Sequence, residues 1–133
     1  MLSVGVTLGV LVSPAGATDA TVKARLLRGV AQIRSSHNAE KLRAPLAHTL
    51  AGLRHDRGST AAGRRGRMLA IQGFVWTLKG IAKEHDFTVN DSGNVEAATR
   101  DAKAADRYFT RGANLLRAAG RAFDLRIGKV KGH

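Results

Sequence analysis

The sequence predicts an all-α protein, a four-helix bundle whose helices follow one another in up-down-up-down order. Several stretches repeat apolar side chains at helical spacing, and no stretch alternates apolar and polar residues well enough for a sheet. Proline occurs only 2 times in 133 residues, and the turn clusters between the periodic stretches leave little room for crossover connections. A chain of this length forms one domain with a single modest core.

Residues 1–17 are expected to be a cleavable signal peptide. They carry no charged side chain and form an apolar run that ends in Ala15-Gly16-Ala17. The run is too short to span a bilayer, but it suits a signal-peptide core with a cleavage site after Ala17. A basic segment before the run is missing, and the alternative is a buried or disordered N-terminal arm. Residues 18–133 would then be a secreted or extracytoplasmic domain with a short basic tail from Gly128.

The first two helices are predicted at residues 19–36 and 38–57. The apolar stripes are Val22, Leu26, Val30 and Ile33 in the first, and Leu42, Leu46, Leu50 and Leu53 in the second. Ser36 or Asn38 can cap the second helix. Pro45 removes a backbone hydrogen bond, so the second helix either kinks or begins there, and we expect a kink.

The third helix, predicted at residues 60–86, is the centre of the bundle. Its main stripe is Met68, Ile71, Val75, Leu78 and Ala82, widened on one side by Phe74 and Ile81. Gly66, Gly73 and Gly80 recur every seventh residue on nearly the opposite side. A helix that is apolar or small around most of its circumference is normally covered on several sides. We expect the main stripe to face the leucines of the first two helices.

The last helix is predicted at residues 95–126 and is the expected partner of the glycine line. A mostly large column is formed by Val95, Ala102, Phe109, Leu116 and Phe123, and a small column by Ala98, Ala105, Gly112 and Ala119. Large residues in one column and small residues in the next suit a close, nearly antiparallel helix pair. The glycine line would be the other half of that contact.

The charge balance limits the kinds of partner. The chain has 22 Lys and Arg against 10 Asp and Glu, a formal net charge of +12. Such a surface attracts nucleic acid, anionic lipid or an anionic cell-wall polymer, and charge alone does not choose among them. Cysteine is absent, which excludes disulfides, thiolate metal sites and cysteine nucleophiles.

Two groups of basic residues are candidate anion-binding sites. The basic stripe, on the back of the last helix, consists of Arg100, Lys103, Arg107, Arg111 and Arg121. The basic corner, around the turn before the third helix, consists of Arg54, Arg57, Arg64, Arg65 and Arg67, with glycines among them whose N–H groups can bind an anion. The alternatives are a solvated face, partly neutralised by pairs such as Glu96 with Arg100, and a flexible basic corner. No aromatic residues interleave the stripe to stack on bases.

No motif for catalysis, metal or cofactor is present. Paired carboxylates, G-x-S-x-G, H-E-x-x-H and a P-loop are all missing. His48 and His55 share a face but lack a third ligand, so we expect exposed histidines. The oxygen-rich stretch 90–96 misplaces its glycine for a calcium loop, and its Asn90-Asp91-Ser92 sequon is a common chance match. Trp76 is expected to pack against a neighbouring helix.

We therefore expect a non-enzymatic, exported basic bundle that associates with an anionic envelope polymer or a membrane surface, with no cofactor, metal or small-molecule substrate. One alternative is a protein-interaction or self-assembly module, in which the long last helix packs against another chain or a second copy. The other is a nucleic-acid-binding protein, which requires that the leader is not a signal peptide or that the target is extracellular.

Overall fold

A computed structural model describes residues 15–90 and 93–128, and over these ranges the chain is an all-helical bundle with no strand. The helices are α1 (Ala15–Ser35), α2 (Ala39–His55), α3 (Ala61–Asn90) and α4 (Val95–Ala122). The predicted all-α class and the four helices are thus confirmed. The proposed signal peptide lies outside the described residues except for its last three, which form the backbone of the first turn of α1. Within the described ranges, no helix is long and apolar enough to cross a membrane.

Helices α1 and α2 form an antiparallel pair whose apolar stripes are buried as predicted. The eight stripe residues, Val22, Leu26, Val30, Ile33, Leu42, Leu46, Leu50 and Leu53, are each at most 5% exposed. Asn38 caps α2 by accepting a hydrogen bond from the Lys41 N–H at 3.2 Å. Helix α2 is continuous through Pro45, and the ring of Pro45 is exposed. Helix α2 ends at His55, two residues before the predicted end, because Asp56 takes an extended backbone conformation and forms an ion pair with Arg25.

Helix α3 buries the side of the predicted stripe that carries Phe74 and Ile81, but not the main stripe itself. Its most deeply buried side chains are Ala70, Phe74, Thr77 and Ile81, whereas Met68 is 59% exposed and Ile71, Val75 and Leu78 are only partly buried. The reason is that α4 covers the glycine line and α1 covers Phe74. The buried face of α3 is therefore the one that lies between its contacts with α1 and α4. The helix also continues beyond the predicted Asp86 to Asn90.

Helices α3 and α4 pack closely and antiparallel along the glycine line. A Cβ atom added at Gly73 would lie 2.7 Å from Leu116 Cδ2, and one added at Gly80 would lie 2.7 Å from the Phe109 ring. One added at Gly66 would overlap the Phe123 ring. The predicted pairing is therefore present, but the glycines receive the large column of α4. In the small column, Gly112 approaches the α3 backbone directly, since a Cβ atom added there would lie 2.9 Å from the Gly73 carbonyl oxygen.

Helix α4 ends at Ala122, four residues before the predicted end. Asp124 adopts a left-handed conformation with φ 58°, and the Leu125 N–H donates to the Gly120 carbonyl at 2.7 Å, which closes the helix. The chain then turns back, and Ile127 is buried against Gly120. A left-handed residue that is not glycine, such as Asp124, leaves no clear mark in the sequence. For this reason the helix was predicted to continue to Arg126.

Candidate anion-binding surface

The basic stripe lies along the outer face of α4, opposite the buried residues Phe109 and Leu116. Its five side chains are all exposed. Within the described residues no carboxylate lies within 4.0 Å of any of them, so the expected pair of Glu96 with Arg100 does not form. At about 1.5 Å per residue, the stripe extends over about 32 Å of the helix. The result is a line of cations that no carboxylate among the described residues neutralises.

An aromatic pair adjoins the middle of this stripe. Trp76 of α3 packs on Tyr108 of α4, with ring centroids 5.2 Å apart and planes tilted by 46°. The Arg111 guanidinium carbon lies 4.5 Å from the centroid of the Trp76 ring, and Lys79 Nζ lies 4.4 Å from it. Both cations are within cation–π distance. The prediction that Trp76 packs against a neighbouring helix is confirmed.

The aromatic pair and Lys79 are the parts of this surface that the sequence analysis missed. The stripe belongs to α4, whereas Trp76 and Lys79 belong to α3. The signal that could have found them is the register of the glycine line. Once Gly73 is set against Leu116 in an antiparallel pair, Trp76 falls beside Tyr108 and Arg111.

Two open grooves lie along the seam between α3 and α4. The larger measures about 740 Å³ and is lined by Trp76 of α3 together with side chains on the outer side of α4, which are Asp106, Arg107, Tyr108, Thr110, Arg111, Asn114 and Leu115. The smaller measures about 510 Å³ and lies between Lys83 and Arg100. Lys83 Nζ is 3.8 Å from a carboxylate oxygen of Asp101, which ties α3 to α4 at the floor of this second groove.

The basic corner contains an internal anion. The Asp19 carboxylate of α1 accepts hydrogen bonds from the Ser59 N–H at 2.7 Å and from the Thr60 hydroxyl at the start of α3. The Thr60 hydroxyl holds the pKa of Asp19 below its ordinary value, and the backbone N–H groups of Ser59 and Thr60 and the positive Arg64 act in the same direction against the effect of burial. Of the corner glycines proposed to bind an external anion, Gly63 donates its N–H to the Thr60 hydroxyl at 2.9 Å, and the neighbouring Ser59 N–H is taken by Asp19.

The five arginines of the corner divide into two groups. Arg67 donates through Nε to the Leu53 carbonyl and through a terminal nitrogen to the Arg54 carbonyl, each at 2.9 Å, so it closes the C-terminal end of α2. Arg64 donates to the Ser59 carbonyl at 2.8 Å. The side chains of Arg54, Arg57 and Arg65 are exposed. The structure thus gives two of the predicted corner residues a role in holding the turn.

Replacing Asp19 by alanine is expected to lower the free energy of unfolding by about 1 kcal/mol at pH 7, the usual cost of a lost helix cap. Because the pKa of Asp19 is lowered by folding, its contribution is present above the unfolded value of about 3.9 and is lost as the pH falls through the folded value. The gap between wild type and variant should therefore close below about pH 4. Chemical denaturation across this pH range measures it, with the exposed Asp106→Asn variant as control. A gap that is the same at every pH would contradict this role.

The remaining sequence-based candidates do not assemble into a site. His48 and His55 have exposed side chains, and no three metal-ligating side chains come together within the ranges that the structure describes. Of the oxygen-rich turn, Asp91 and Ser92 lie outside the described residues, and Asn94 caps α4 by accepting from the Ala97 N–H at 3.0 Å. This is the capping chemistry that the sequence predicts for the turn.

Comparison of the chain with models of protein families, with curated proteins and with solved structures found no match. The surface described above is therefore the basis on which a function is proposed for this chain.

Proposed function

We propose that this chain is a non-enzymatic, exported helical bundle that binds an anionic envelope polymer through the outer face of α4. The observation that carries the proposal is the basic stripe itself. Its cations are exposed and have no carboxylate partner among the described residues. A polymer with regularly repeated negative charges can contact several of them at once, and each contact releases a counterion.

A polymer fits this surface better than a membrane does. Proteins that lie on a membrane place large apolar side chains beside their basic residues, and these enter the lipid. The exposed large apolar residues of the described ranges are Leu27, Met68, Val89 and Val95, which are spread over three helices and not interleaved with the stripe. Electrostatic contact without apolar insertion is the mode that this surface supports.

Nucleic-acid binding is the second candidate, and the specific observation that favours it is the aromatic pair. Trp76 and Tyr108 stand beside Arg107 and Arg111, and stacking of bases on aromatic rings next to cations is a common way to bind single strands. The first candidate is preferred because Lys79 and Arg111 already lie over the Trp76 ring. A base could stack on that ring only by displacing one of them.

The proposal is tested by passing the protein over immobilised polygalacturonate, with neutral dextran as the control matrix. Retention is expected on the anionic matrix at about 50 mM salt, with a loss of about 10³ or more in affinity at about 200 mM if six or more contacts form. Equal retention on dextran, or retention that salt does not change, would sink the proposal. Vesicles rich in phosphatidylglycerol test the membrane alternative in the same buffers. Export is tested by the N-terminal residue of the natural protein, which should be Thr18.

A further inference from the structure

We propose that the groove beside Trp76 binds a sugar unit that carries a carboxylate, so that the polymer is an acidic polysaccharide. This inference rests on the proposed function and names the chemistry of its ligand. It follows from three features of the groove, which are its size, its fixed cation and its single acidic side chain.

The groove has the dimensions of a ligand site. Its volume of about 740 Å³ falls within the range of about 300–1,000 Å³ that is usual for pockets holding small molecules. Its lining combines Trp76 of α3 with side chains of α4. Tyr108 and Leu115 supply apolar surface, and the other α4 side chains of the lining are polar. A sugar ring presents the matching combination of C–H faces and hydroxyl edges.

Arg111 provides a cation that is held in place before any ligand arrives. Its guanidinium lies over the Trp76 ring at 4.5 Å from the centroid. A stacked guanidinium loses part of its rotational freedom in advance and keeps its N–H donors at the edge of the plane, which suits a carboxylate. Arg107 lines the same groove with an exposed side chain. The pair offers one fixed and one adaptable donor set to a negative group.

Asp106, which lines the groove, supplies an acceptor for a ligand that bears hydroxyl groups. An ionised carboxylate accepts hydrogen bonds and donates none, so it pairs with sugar hydroxyls. Asn114, also in the lining, accepts from Arg117 at 3.2 Å through its Oδ1, which leaves its NH₂ group as a donor. The groove therefore combines donors and acceptors for hydroxyls with two cations for one negative charge.

The test uses the fluorescence of Trp76, because the chain contains 1 tryptophan and its emission reports on this groove alone. The probe is a hexamer of galacturonic acid, titrated into the full chain at low salt. A neutral maltose hexamer and an oligothymidylate of equal charge serve as comparisons. A saturable change in Trp76 emission is expected with the acidic sugar, weakened about tenfold by Arg111→Gln. The matched control is Arg43→Gln, the same substitution at an exposed arginine of α2, a helix that makes no contact with α4 in the described ranges, and it should leave the affinity unchanged.

Each outcome decides between the two proposals. Binding of fluorescently labelled galacturonate without a change in Trp76 emission would overturn the groove and leave the polymer proposal standing. Equal affinity of the Arg111→Gln and Arg43→Gln variants would do the same. Absence of any binding would overturn both. Tighter binding of the oligothymidylate, improved further by Asp106→Ala, would overturn the sugar assignment in favour of nucleic acid. Weaker binding of galacturonate by Asp106→Ala would support it. Thermal unfolding of each variant, followed by circular dichroism, verifies that the exposed substitutions leave the fold intact.

Discussion

Replacement of Phe74 by alanine is expected to lower the free energy of unfolding by about 3–5 kcal/mol, the usual cost of removing a buried phenylalanine. Phe74 is 0% exposed and its ring packs against Gly29, where α3 passes over α1. Because a domain of this size is stabilised by only about 5–15 kcal/mol, the variant should lose a large part of its stability. Chemical denaturation followed by circular dichroism measures the effect.

Met68 provides the control on the same helix. Its side chain is 59% exposed, although the sequence pattern placed it in the buried stripe. Met68→Ala is therefore expected to change the stability by no more than about 0.5 kcal/mol. If Met68→Ala were as damaging as Phe74→Ala, Met68 would be buried, as the main stripe predicted, and the described packing of α3 would be wrong.

A double-mutant cycle isolates the contact between Phe74 and Gly29. A Cβ atom at Gly29 would overlap the Phe74 ring, so Gly29→Ala alone should cost about 1–3 kcal/mol. In the Phe74→Ala background the overlap is gone, and the same change should stabilise by up to about 1 kcal/mol through helix propensity. An equal cost in both backgrounds would show that Gly29 is constrained by something other than this ring.

The parts of the fold that could be predicted are those in which one helix has one buried face. Val22 and Leu26 of α1 and Leu46 of α2 belong to narrow apolar stripes, so periodicity alone identifies the buried side. Helix α3 is different, because it is apolar or small on most sides and its neighbours decide which sector is buried. Phe74 belongs to the predicted stripe and is buried, whereas Met68 of the same stripe is exposed. This difference follows from the positions of α1 and α4, which the sequence of α3 does not contain.

The candidate surface likewise has one part that could be predicted from the sequence of a single helix and one part that could not. The stripe on α4 could be predicted because its residues share one face of one helix, and they are exposed as that face requires. The groove could not be predicted, because it combines Trp76 of α3 with Arg107 and Arg111 of α4. The contact of Asp19 with the start of α3 joins residues 40 apart in sequence, and no local pattern marks it.

Neutralising the stripe is expected to have the largest effect on binding. The stripe variant replaces four cations by glutamine, Arg100, Lys103, Arg107 and Arg111. The control variant makes the same change in charge on α1 and α2, at Arg28, Arg34, Lys41 and Arg43, which are all exposed. Each variant lowers the formal net charge of +12 by four. Helix α2 makes no contact with α4 in the described ranges, so two of the four control charges, Lys41 and Arg43, lie away from the proposed surface.

The most direct measurement is the affinity of wild type and both variants for polygalacturonate as a function of salt between about 50 mM and about 200 mM. On a single anionic chain each lost contact removes about 0.7 units from the slope of log K against log salt, the value for single strands, so four lost contacts remove about 3. We expect the stripe variant to have a slope shallower by about 3 and an affinity at least about 100-fold lower at about 50 mM salt. The control variant should keep the wild-type slope, since charges beyond about 10 Å are largely screened at about 0.1 M salt. Equal losses in the two variants would show that net charge alone attracts the polymer and would contradict a binding face on α4.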